Sequence, residues 1–316
     1  MSGAGRVVVL AGGLSHERDV SVRSGRRVAE AMRGAGVEVD VLDVDASLLP
    51  DLIADRPAVV FPLLHGAAGE DGAIRDVLGL LRIPYVGSVP DACRVAFDKP
   101  AAKAALTAAG LSTPDAVALP HATFRDLGAT AVLSAAVDLL GLPLVVKPAR
   151  GGSALGMSVV HTIEELPAAM VGCFAYGETA LVERFVTGTE VAVSVLDLGS
   201  GPVALPAVEV QPDGGVYDYE ARYTAGATEF FCPARLDASV AEACAKAAVL
   251  AHETLALRDL SRSDIIVDAA GVPWLLEVNV APGMTETSLM PQSVEASGQD
   301  LGAVCAALVE VAASRE

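Results

Sequence analysis

The chain has 316 residues, of which 52% are hydrophobic and 20% are charged, and its formal net charge is −18. This length is enough for two or three domains with a sizeable core, and the composition is that of a folded protein rather than a disordered one. The acidic charge argues against nucleic-acid binding, because a phosphate-binding groove requires clustered lysine and arginine.

Targeting and redox signals favour the cytoplasm. The start, "MSGAGRVVVLAGG", has no apolar stretch long enough for a signal peptide, and apolar runs elsewhere are cut by Asp, Gly or Pro. We therefore expect a cytoplasmic protein that does not contact membranes. The five cysteines form no CxxC pair and are odd in number, which predicts small buried residues rather than disulfides or a zinc site.

Residues 1–97 are predicted to form a Rossmann-like domain with a parallel sheet. Short Val-rich runs end in Gly, as buried parallel strands do: "RVVVLAGG", "VEVDVLDVD", "AVVFPLLHG" and "IPYVG". Helices are predicted between them, around 22–33, 47–54 and 70–81. In such a domain the ligand groups lie at the carboxyl ends of the strands.

Two loops of this domain, 12–21 and 65–72, directly follow predicted strands. Neither matches a dinucleotide fingerprint or a P-loop. Their polar side chains favour either ligand binding or simple capping of the helices that follow: Ser15, His16, Glu17, His65 and Glu70.

The rest of the chain is predicted to form two α+β lobes. A central subdomain over 98–185 begins with a helix that ends at Gly110 and contains a glycine-rich hairpin. A C-terminal subdomain over 186–316 consists of antiparallel strands joined by turns, with a helix through 239–257 and another at the end of the chain. No internal repeat is present, so three sequential lobes are the simplest partition.

The segment 261–283 contains two predicted strands joined by a turn. If the turn has four residues, Asp268 faces Pro273, and the register continues inward from that pair. Two further polar pairs then share one face of the strands: Asp264 with Glu277, and Arg262 with Asn279. The opposite face receives apolar residues because side chains alternate along a strand: Ile265, Val267, Leu276 and Val278.

Asp264, Glu277 and Asn279 offer only oxygen ligands, as a hard divalent cation requires, and Mg²⁺ binds through one or two carboxylates plus phosphate and water. The alternative is a polar face that Arg262 neutralises without a metal. The turn "APGMTETS" directly follows, and its amides and hydroxyls suit a carboxylate or an oxyanion.

The hairpin "VVKPARGGSALGMSVV" at 145–160 raises a related question, whether it is a loose turn or a flap over phosphate. Lys147 follows an apolar run, Gly151 and Gly152 allow close backbone approach, and Ser153 adds a hydroxyl. A glycine loop alone is weak evidence. Together with the acid cluster and Lys99, it favours binding of a triphosphate with magnesium.

These motifs, in this order, resemble D-alanine–D-alanine ligases of the ATP-grasp superfamily. The resemblance extends from about residue 7 to beyond 300 and includes the following segments: "GGLSHERDVS", "LLHGAAGEDG", "DK" at 98–99, "VVKPARGGSALGMS", "VERFVTGTE", "VYDYEARYTAGATEFFCPA" and "LLEVNVAPGMTETSLMP". It implies an ATP-grasp fold of three lobes, in which ATP lies between the two α+β subdomains.

The resemblance also implies individual roles. Lys99, Lys147 and the flap with Gly152 and Ser153 would bind the phosphates of ATP. Glu183 and Glu190 would contact the adenine and the ribose, and Arg222 would supply positive charge near the phosphates. Two Mg²⁺ ions, for which Mn²⁺ can substitute, would be bound by Asp264, Glu277 and Asn279. The residues that would act on the reacting amino acids are Glu17, Ser153, Tyr223, Arg262, Gly283 and Ser288.

Three positions depart from the family pattern. Arg222 stands where lysine is usual, Ala154 replaces a hydroxyl residue of the flap, and Val280 stands where threonine is frequent. None removes a metal ligand. A guanidinium fork is not a point charge, so Arg222 puts closure of its loop in doubt.

The resemblance implies an enzyme that joins two D-alanine molecules through an acyl phosphate, for peptidoglycan precursor synthesis, and a homodimer. An alternative is the same chemistry with a different second substrate, namely D-serine, D-lactate or a secondary-metabolite amine. A second alternative is a module that senses ATP without chemistry. A sensor would have no need of the acid cluster and the lysines, which this chain retains.

Overall fold

The computed structural model describes residues 5–224 and 226–315, without the side chains of Glu220 and Tyr223. Within these residues the strands form three sheets, which follow one another along the chain. The first sheet is parallel, and the strand pairs of the other two are antiparallel.

The first sheet has the strand order β2-β1-β3. Its strands are β1 (Val7–Leu10), β2 (Val39–Leu42) and β3 (Val59–Pro62), and its helices are α1 (Arg18–Gly34), α2 (Leu48–Ala54), α3 (Ala67–Glu70) and α4 (Ala73–Leu80). The parallel sheet confirms the prediction. The run "IPYVG", however, was predicted as a fourth strand and forms only one bridge, between Tyr85 and Val60. Pro84 lacks an amide hydrogen, and Gly87 has a φ of +109°, so a longer ladder cannot form.

The second sheet has the order β4-β7-β5-β6. Its strands are β4 (Ala116–Pro120), β5 (Leu144–Pro148), β6 (Ser158–Val160) and β7 (Thr179–Arg184). The helices before and around it are α5 (Pro90–Phe97), α6 (Lys99–Ala108), α7 (His121–Leu127), α8 (Ala129–Leu140) and α9 (Leu166–Phe174). Strands β5 and β6 form the glycine-rich hairpin, and Lys147 is near the end of β5.

The third sheet has the order β11-β10-β8-β12-β13, with β9 also paired to β8. Its strands are β8 (Thr189–Asp197), β9 (Pro202–Ala204), β10 (Val208–Pro212), β11 (Thr228–Phe231), β12 (Leu260–Val267) and β13 (Pro273–Asn279). The remaining helices are α10 (Tyr219–Tyr223), α11 (Ala238–Thr254), α12 (Leu289–Ala296) and α13 (Leu301–Ala313).

Strands β12 and β13 pair largely as predicted. Asp264 lies opposite Glu277, and Arg262 lies opposite Asn279. The end next to the turn differs, because Val267 rather than Asp268 faces Pro273. A β-bulge between Asp264 and Ile265 absorbs the extra residue of β13 and restores the polar pairs.

The bulge also corrects the predicted face of Leu276. Leu275, which is 1% exposed, packs in the core with Ile265, Val267 and Val278. Leu276 instead lines a cavity beside Glu277. Two consecutive side chains of β13 thus point to the same side, as a bulge permits.

The predicted lobe boundaries at 97/98 and 185/186 stay a prediction, because apolar packing joins the lobes across both of them. Val304 and Leu308 of α13 pack against Val7 and Val9 of β1. Ala102 and Leu106 of α6 pack with residues of the third sheet.

The cysteines are free, and four of them are buried as predicted for small apolar residues: Cys93, Cys173, Cys244 and Cys305. Cys232 is partly exposed. Within the described residues, no helix combines the length and the apolar character that a membrane crossing requires.

Candidate active site

Two adjoining cavities lie beside the third sheet. The first cavity, of about 420 Å³, lies between β5, β7 and the third sheet, and its wall includes Phe185, Val186 and Leu276. The second cavity, of about 570 Å³, reaches from the loops of the first sheet to the turn after β13. Their volumes are in the range of small-molecule sites. Six residues line both cavities: Lys99, Gly151, Gly152, Tyr217, Arg222 and Glu277.

Lys147 lines the first cavity as part of a buried ion-pair network. Its ammonium is 2.5 Å from Glu183 Oε1, and Lys103 is 3.0 Å from Glu183 Oε2. Burial opposes the charge on Glu183, but the two lysines outweigh it and lower its pKa. We name Lys103, Glu183 and Lys147 the lysine–glutamate triad. Lys103 was not predicted as a site residue, although it follows Lys99 by four residues and so shares its helix face.

Lys99 begins helix α6, where the Asp98 carboxylate caps the helix by accepting from the amide of Ala101 at 3.1 Å. The cap fixes the direction in which Lys99 leaves the helix. The Lys99 ammonium donates to the carbonyl of Gly151 at 2.7 Å and lies 3.3 Å from Glu277 Oε2. It therefore links the flap (residues 151–157) to the third sheet.

The predicted oxygen cluster lies where the two cavities meet. Asp264 lines the first cavity, Asn279 lines the second, and Glu277 lines both. Burial raises the pKa of Glu277, but Lys99 and Lys147 outweigh it and lower it to about 2. Glu277 is thus anionic at neutral pH, and the cluster opens toward both cavities.

The donor set suits a hard divalent ion, since it consists of two carboxylates and an amide oxygen. Arg262 donates to both oxygens of Asp264, at 2.7 and 2.8 Å, and Asn279 Oδ1 accepts from the amide of Ala281 at 2.8 Å. Among the described residues, no three His, Cys, Asp or Glu side chains form a metal-binding group. A metal here would depend on Asn279 and on ligand oxygens.

Arg222 and Glu190 also line the first cavity. Arg222 stacks on the ring of Tyr217, 4.2 Å from its centroid, and both residues line both cavities. Glu190 is on β8, and burial raises its pKa to about 7 despite the nearby Arg222. Tyr217 is a lining residue that the sequence analysis did not single out.

The flap reaches the loop after β1. The hydroxyl of Ser153 donates to the Glu17 carboxylate, and both residues line the second cavity. Ser153 and Ala154 have φ values of 51° and 55°, in the left-handed region that non-glycine residues rarely adopt. A side chain at Gly152 would come within 3.2 Å of the Glu17 carboxylate, so this close approach favours glycine.

The turn after β13 supplies the opposite wall of the second cavity. Ser288 Oγ accepts from the amide of Thr285 at 2.9 Å and contacts its hydroxyl at 2.8 Å. A side chain at Gly283 would come within 2.8 Å of Ser288 Oγ. Thr285 was not predicted as a site residue, because its contact with Ser288 depends on how the turn folds.

His65 and Glu70 also line the second cavity, where they could contact a ligand. His65 Nδ1 is 3.0 Å from the carbonyl of Ala281, and burial lowers its pKa to about 4. Burial and the neighbouring Glu17 raise the pKa of Glu70 to about 8. Of the other polar residues noted in these loops, His16 is exposed and lines neither cavity.

The predicted role of Tyr223 depends on a side chain outside the described part of the chain. The backbone of helix α10, which that residue ends, also carries Arg222. Every other predicted site residue lines one or both cavities.

Family models and relatives match almost the whole chain. The model described as "D-ala D-ala ligase C-terminus" matches residues 105–310, and "D-ala D-ala ligase N-terminus" matches residues 44–88. The chain belongs to the D-alanine–D-alanine ligase family. A D-alanine–D-alanine ligase of Anaeromyxobacter dehalogenans is 41% identical, over 98% of this chain and 97% of its own. One of Bordetella petrii is 39% identical, over 98% and 93%.

Solved structures of this family share the fold. The VanG D-Ala:D-Ser ligase from Enterococcus faecalis aligns with a TM-score of 0.84 at 25% identity, over 98% of this chain and 99% of its own. The D-alanine–D-alanine ligase from Bacillus anthracis complexed with ATP aligns with a TM-score of 0.80 at 28% identity, over 98% and 97%. The chain thus has the ATP-grasp fold of its family, as the resemblance predicted.

Proposed function

We propose that the protein is an ATP-dependent ligase that joins two D-alanine molecules into D-alanyl-D-alanine, releases ADP and phosphate, and serves peptidoglycan precursor synthesis. The observation that carries this proposal is the contact between two chemically different cavities. The first has apolar walls and lysines, the second has acids and hydroxyls, and Lys99, Gly152 and Glu277 line both. The names of the relatives support the same reaction.

ATP would occupy the first cavity. Its phosphates would contact Lys99, Lys147 and the amides of the flap around Gly152 and Ser153, because Lys99, Lys147 and Gly152 line this cavity and Ser153 follows them in the flap, at the second cavity. The adenine and ribose would lie along the segment from Glu183 to Glu190, beside the apolar wall of the first cavity. Arg222, at the border of the cavities, is placed to meet charge on the transferred phosphoryl group.

Magnesium would be held by Asp264, Glu277 and Asn279. Bound there, two ions would neutralise phosphate charge and polarise the transferred group, and Mn²⁺ would substitute. Asp264 could bind a metal while Arg262 donates to both of its oxygens, because each carboxylate oxygen has two lone pairs. Arg262 itself lines the second cavity.

The second cavity would hold the two amino acids. Glu17 would bind the amino group of the first D-alanine, with Ser153 and Tyr223 joining the flap and the loop over it. Ser288 would bind the carboxylate of the second. Arg262 and the amide of Gly283 would stabilise the oxyanion that forms when the second amine attacks.

The reaction requires activation because a carboxylate at neutral pH is a poor electrophile. Transfer of the γ-phosphoryl group to the first D-alanine forms an acyl phosphate, and attack by the second amine expels phosphate. An acyl phosphate also hydrolyses readily, so the flap and the segment 211–231 would close to exclude water. Tyr217 and Arg222 of that segment already line both cavities.

A different second substrate is the alternative that a specific observation favours. The solved structure with a TM-score of 0.84 is named a D-Ala:D-Ser ligase. A screen of D-alanine, L-alanine, D-serine and D-lactate with ATP and magnesium, with products identified by mass spectrometry, distinguishes the two second substrates.

We also propose that the protein is a homodimer, which sedimentation analysis tests.

Asp264→Asn tests the metal and ATP assignments together. The substitution removes one of two carboxylates from the oxygen cluster, so we expect ADP formation to fall at least about a hundredfold while the far-ultraviolet circular dichroism is retained. Asp126→Asn is the matched control, since Asp126 is 61% exposed and far from the cavities. Normal turnover by Asp264→Asn would contradict the assignment.

A further inference from the structure

Lys103 lies behind the first cavity, and none of the roles proposed above requires it. It is on α6, one turn after Lys99, and only 7% of its surface is exposed. It is not among the described residues that line either cavity. Its ammonium is 3.0 Å from Glu183 Oε2, while Lys147 takes Oε1 of the same carboxylate.

Packing alone does not explain a lysine at this position. Ala102 and Leu106 of the same helix are buried in an apolar core, where a hydrophobic side chain would pack without the cost of removing a charge from water. A buried lysine that lines neither cavity is therefore expected to act through its partner, Glu183.

The charges of the lysine–glutamate triad indicate what that action is. Lys147 and Glu183 alone would form a neutral pair, with little attraction left for phosphate. Adding Lys103 gives the triad a net charge of +1. We propose that Lys103 is a positioning residue that satisfies Glu183 from behind and so preserves the positive charge that Lys147 presents to the phosphates of ATP.

This inference rests on the proposed function, since it requires ATP in the first cavity. Its geometry is independent of that function. The two oxygens of Glu183 face different lysines, and Glu183 is only 2% exposed, so the carboxylate cannot turn fully toward Lys147 without leaving Lys103 buried and unpaired.

Titration of the triad supplies a readout that a purely structural role would not alter. Burial lowers the pKa of Lys103, and Glu183 only partly offsets it. Burial also opposes the charge on Lys147, but Glu183 and Glu277 outweigh it and raise the pKa. As pH rises, Lys103 therefore loses its proton before Lys147 does, and ATP affinity should fall. Arginine at 103 would keep its charge and move that loss to higher pH.

The experiment measures the Kd of ATP with magnesium by calorimetry for wild type, Lys103→Met, Lys103→Arg, Glu183→Gln and the double variant Lys103→Met/Glu183→Gln. We expect Lys103→Met to weaken binding about tenfold relative to wild type, since one buried charge is lost from the triad, whereas Lys103→Arg keeps the charge. In the Glu183→Gln background the same Lys103→Met change should alter the Kd by less than about threefold, because Glu183 no longer cancels Lys147 and its adenine contact is lost from both members of that pair. Lys246→Met is the matched control, as Lys246 is 75% exposed.

Each result decides one point. A Lys103→Met protein that binds ATP like wild type, or a Lys103→Met change that costs as much in the Glu183→Gln background as in wild type, would overturn the inference. If Lys103→Met does not fold, the Glu183→Gln pair decides: a double variant within about threefold of Glu183→Gln supports the inference, and weaker binding contradicts it. Wild type that does not bind ATP would refute the proposed function instead.

Discussion

Three acids of the site are each paired with a cation. Glu277 lies beside Lys99, Asp264 holds Arg262, and Glu183 joins two lysines. Burying a carboxylate costs several kcal/mol unless it is paired with good geometry. The pairing explains how so many charges share one interior without unfolding the protein.

Glu70 forms no ion pair within the described residues, and the charged group that shifts its pKa most is another acid, Glu17. Its pKa is raised from 4.5 to about 8 in the folded protein. A raised pKa contributes stability that is fully present below the unfolded value and is lost as the pH rises through the folded one. The protein should therefore lose stability from Glu70 between about pH 4.5 and pH 8.

Glu70→Gln tests whether ionisation of Glu70 causes this loss of stability, since glutamine resembles the protonated acid. We expect the variant to be more stable than wild type, by a margin that grows by roughly 3 kcal/mol between about pH 5.5 and about pH 8. Urea unfolding at both pH values measures it. Glu30→Gln, at an exposed position on α1, should show no such trend. A margin for Glu70→Gln that is the same at both pH values would contradict the assignment.

At the scale of helices and strands, Val-rich runs, alternating side chains and turn residues predicted strands β1, β3, β8 and β12 and the long helices. The bulge in β13 could not be predicted, because Leu275 and Leu276 are the same residue type and either one fits the core. Lys103 could not be placed either, since its partner Glu183 is 80 positions away and only the tertiary fold brings them together. By contrast, the pairing of Asp264 with Glu277 needs only two neighbouring strands, which the sequence shows.

Helix α1 offers a prediction from two glycines. A side chain at Gly25 would come within 2.4 Å of the Ala11 Cβ after β1, whereas one at Gly34 would meet nothing within 4 Å. We expect Gly25→Ala to destabilise the protein by about 2 kcal/mol through overpacking. Gly34→Ala should leave stability unchanged or raise it by up to about 1 kcal/mol, because alanine favours the helix. Thermal unfolding of both variants measures the difference, and equal effects would show that α1 is free to shift.

At the scale of the whole molecule, the end of the chain ties distant segments together. Asp259, just before β12, is fully buried with a φ of +67°. It accepts from the amide of Gly87 at 2.6 Å and from Arg315 at 2.9 Å. The edge of the first sheet, the start of β12 in the third sheet and a residue after the last helix thus meet at one carboxylate.

Arg315→Met should therefore weaken the whole fold rather than a local contact. It leaves a buried carboxylate without its ion-pair partner, which costs about 3 kcal/mol in comparable cases. Arg125→Met, which breaks a pair of exposed side chains, should cost less than about 0.5 kcal/mol. Urea unfolding compares both with wild type. The double variant Asp259→Asn/Arg315→Met should recover part of the loss, because asparagine can still accept from Gly87 without a buried charge. A loss for Arg315→Met no larger than that for Arg125→Met would show that the junction does not hold the lobes together.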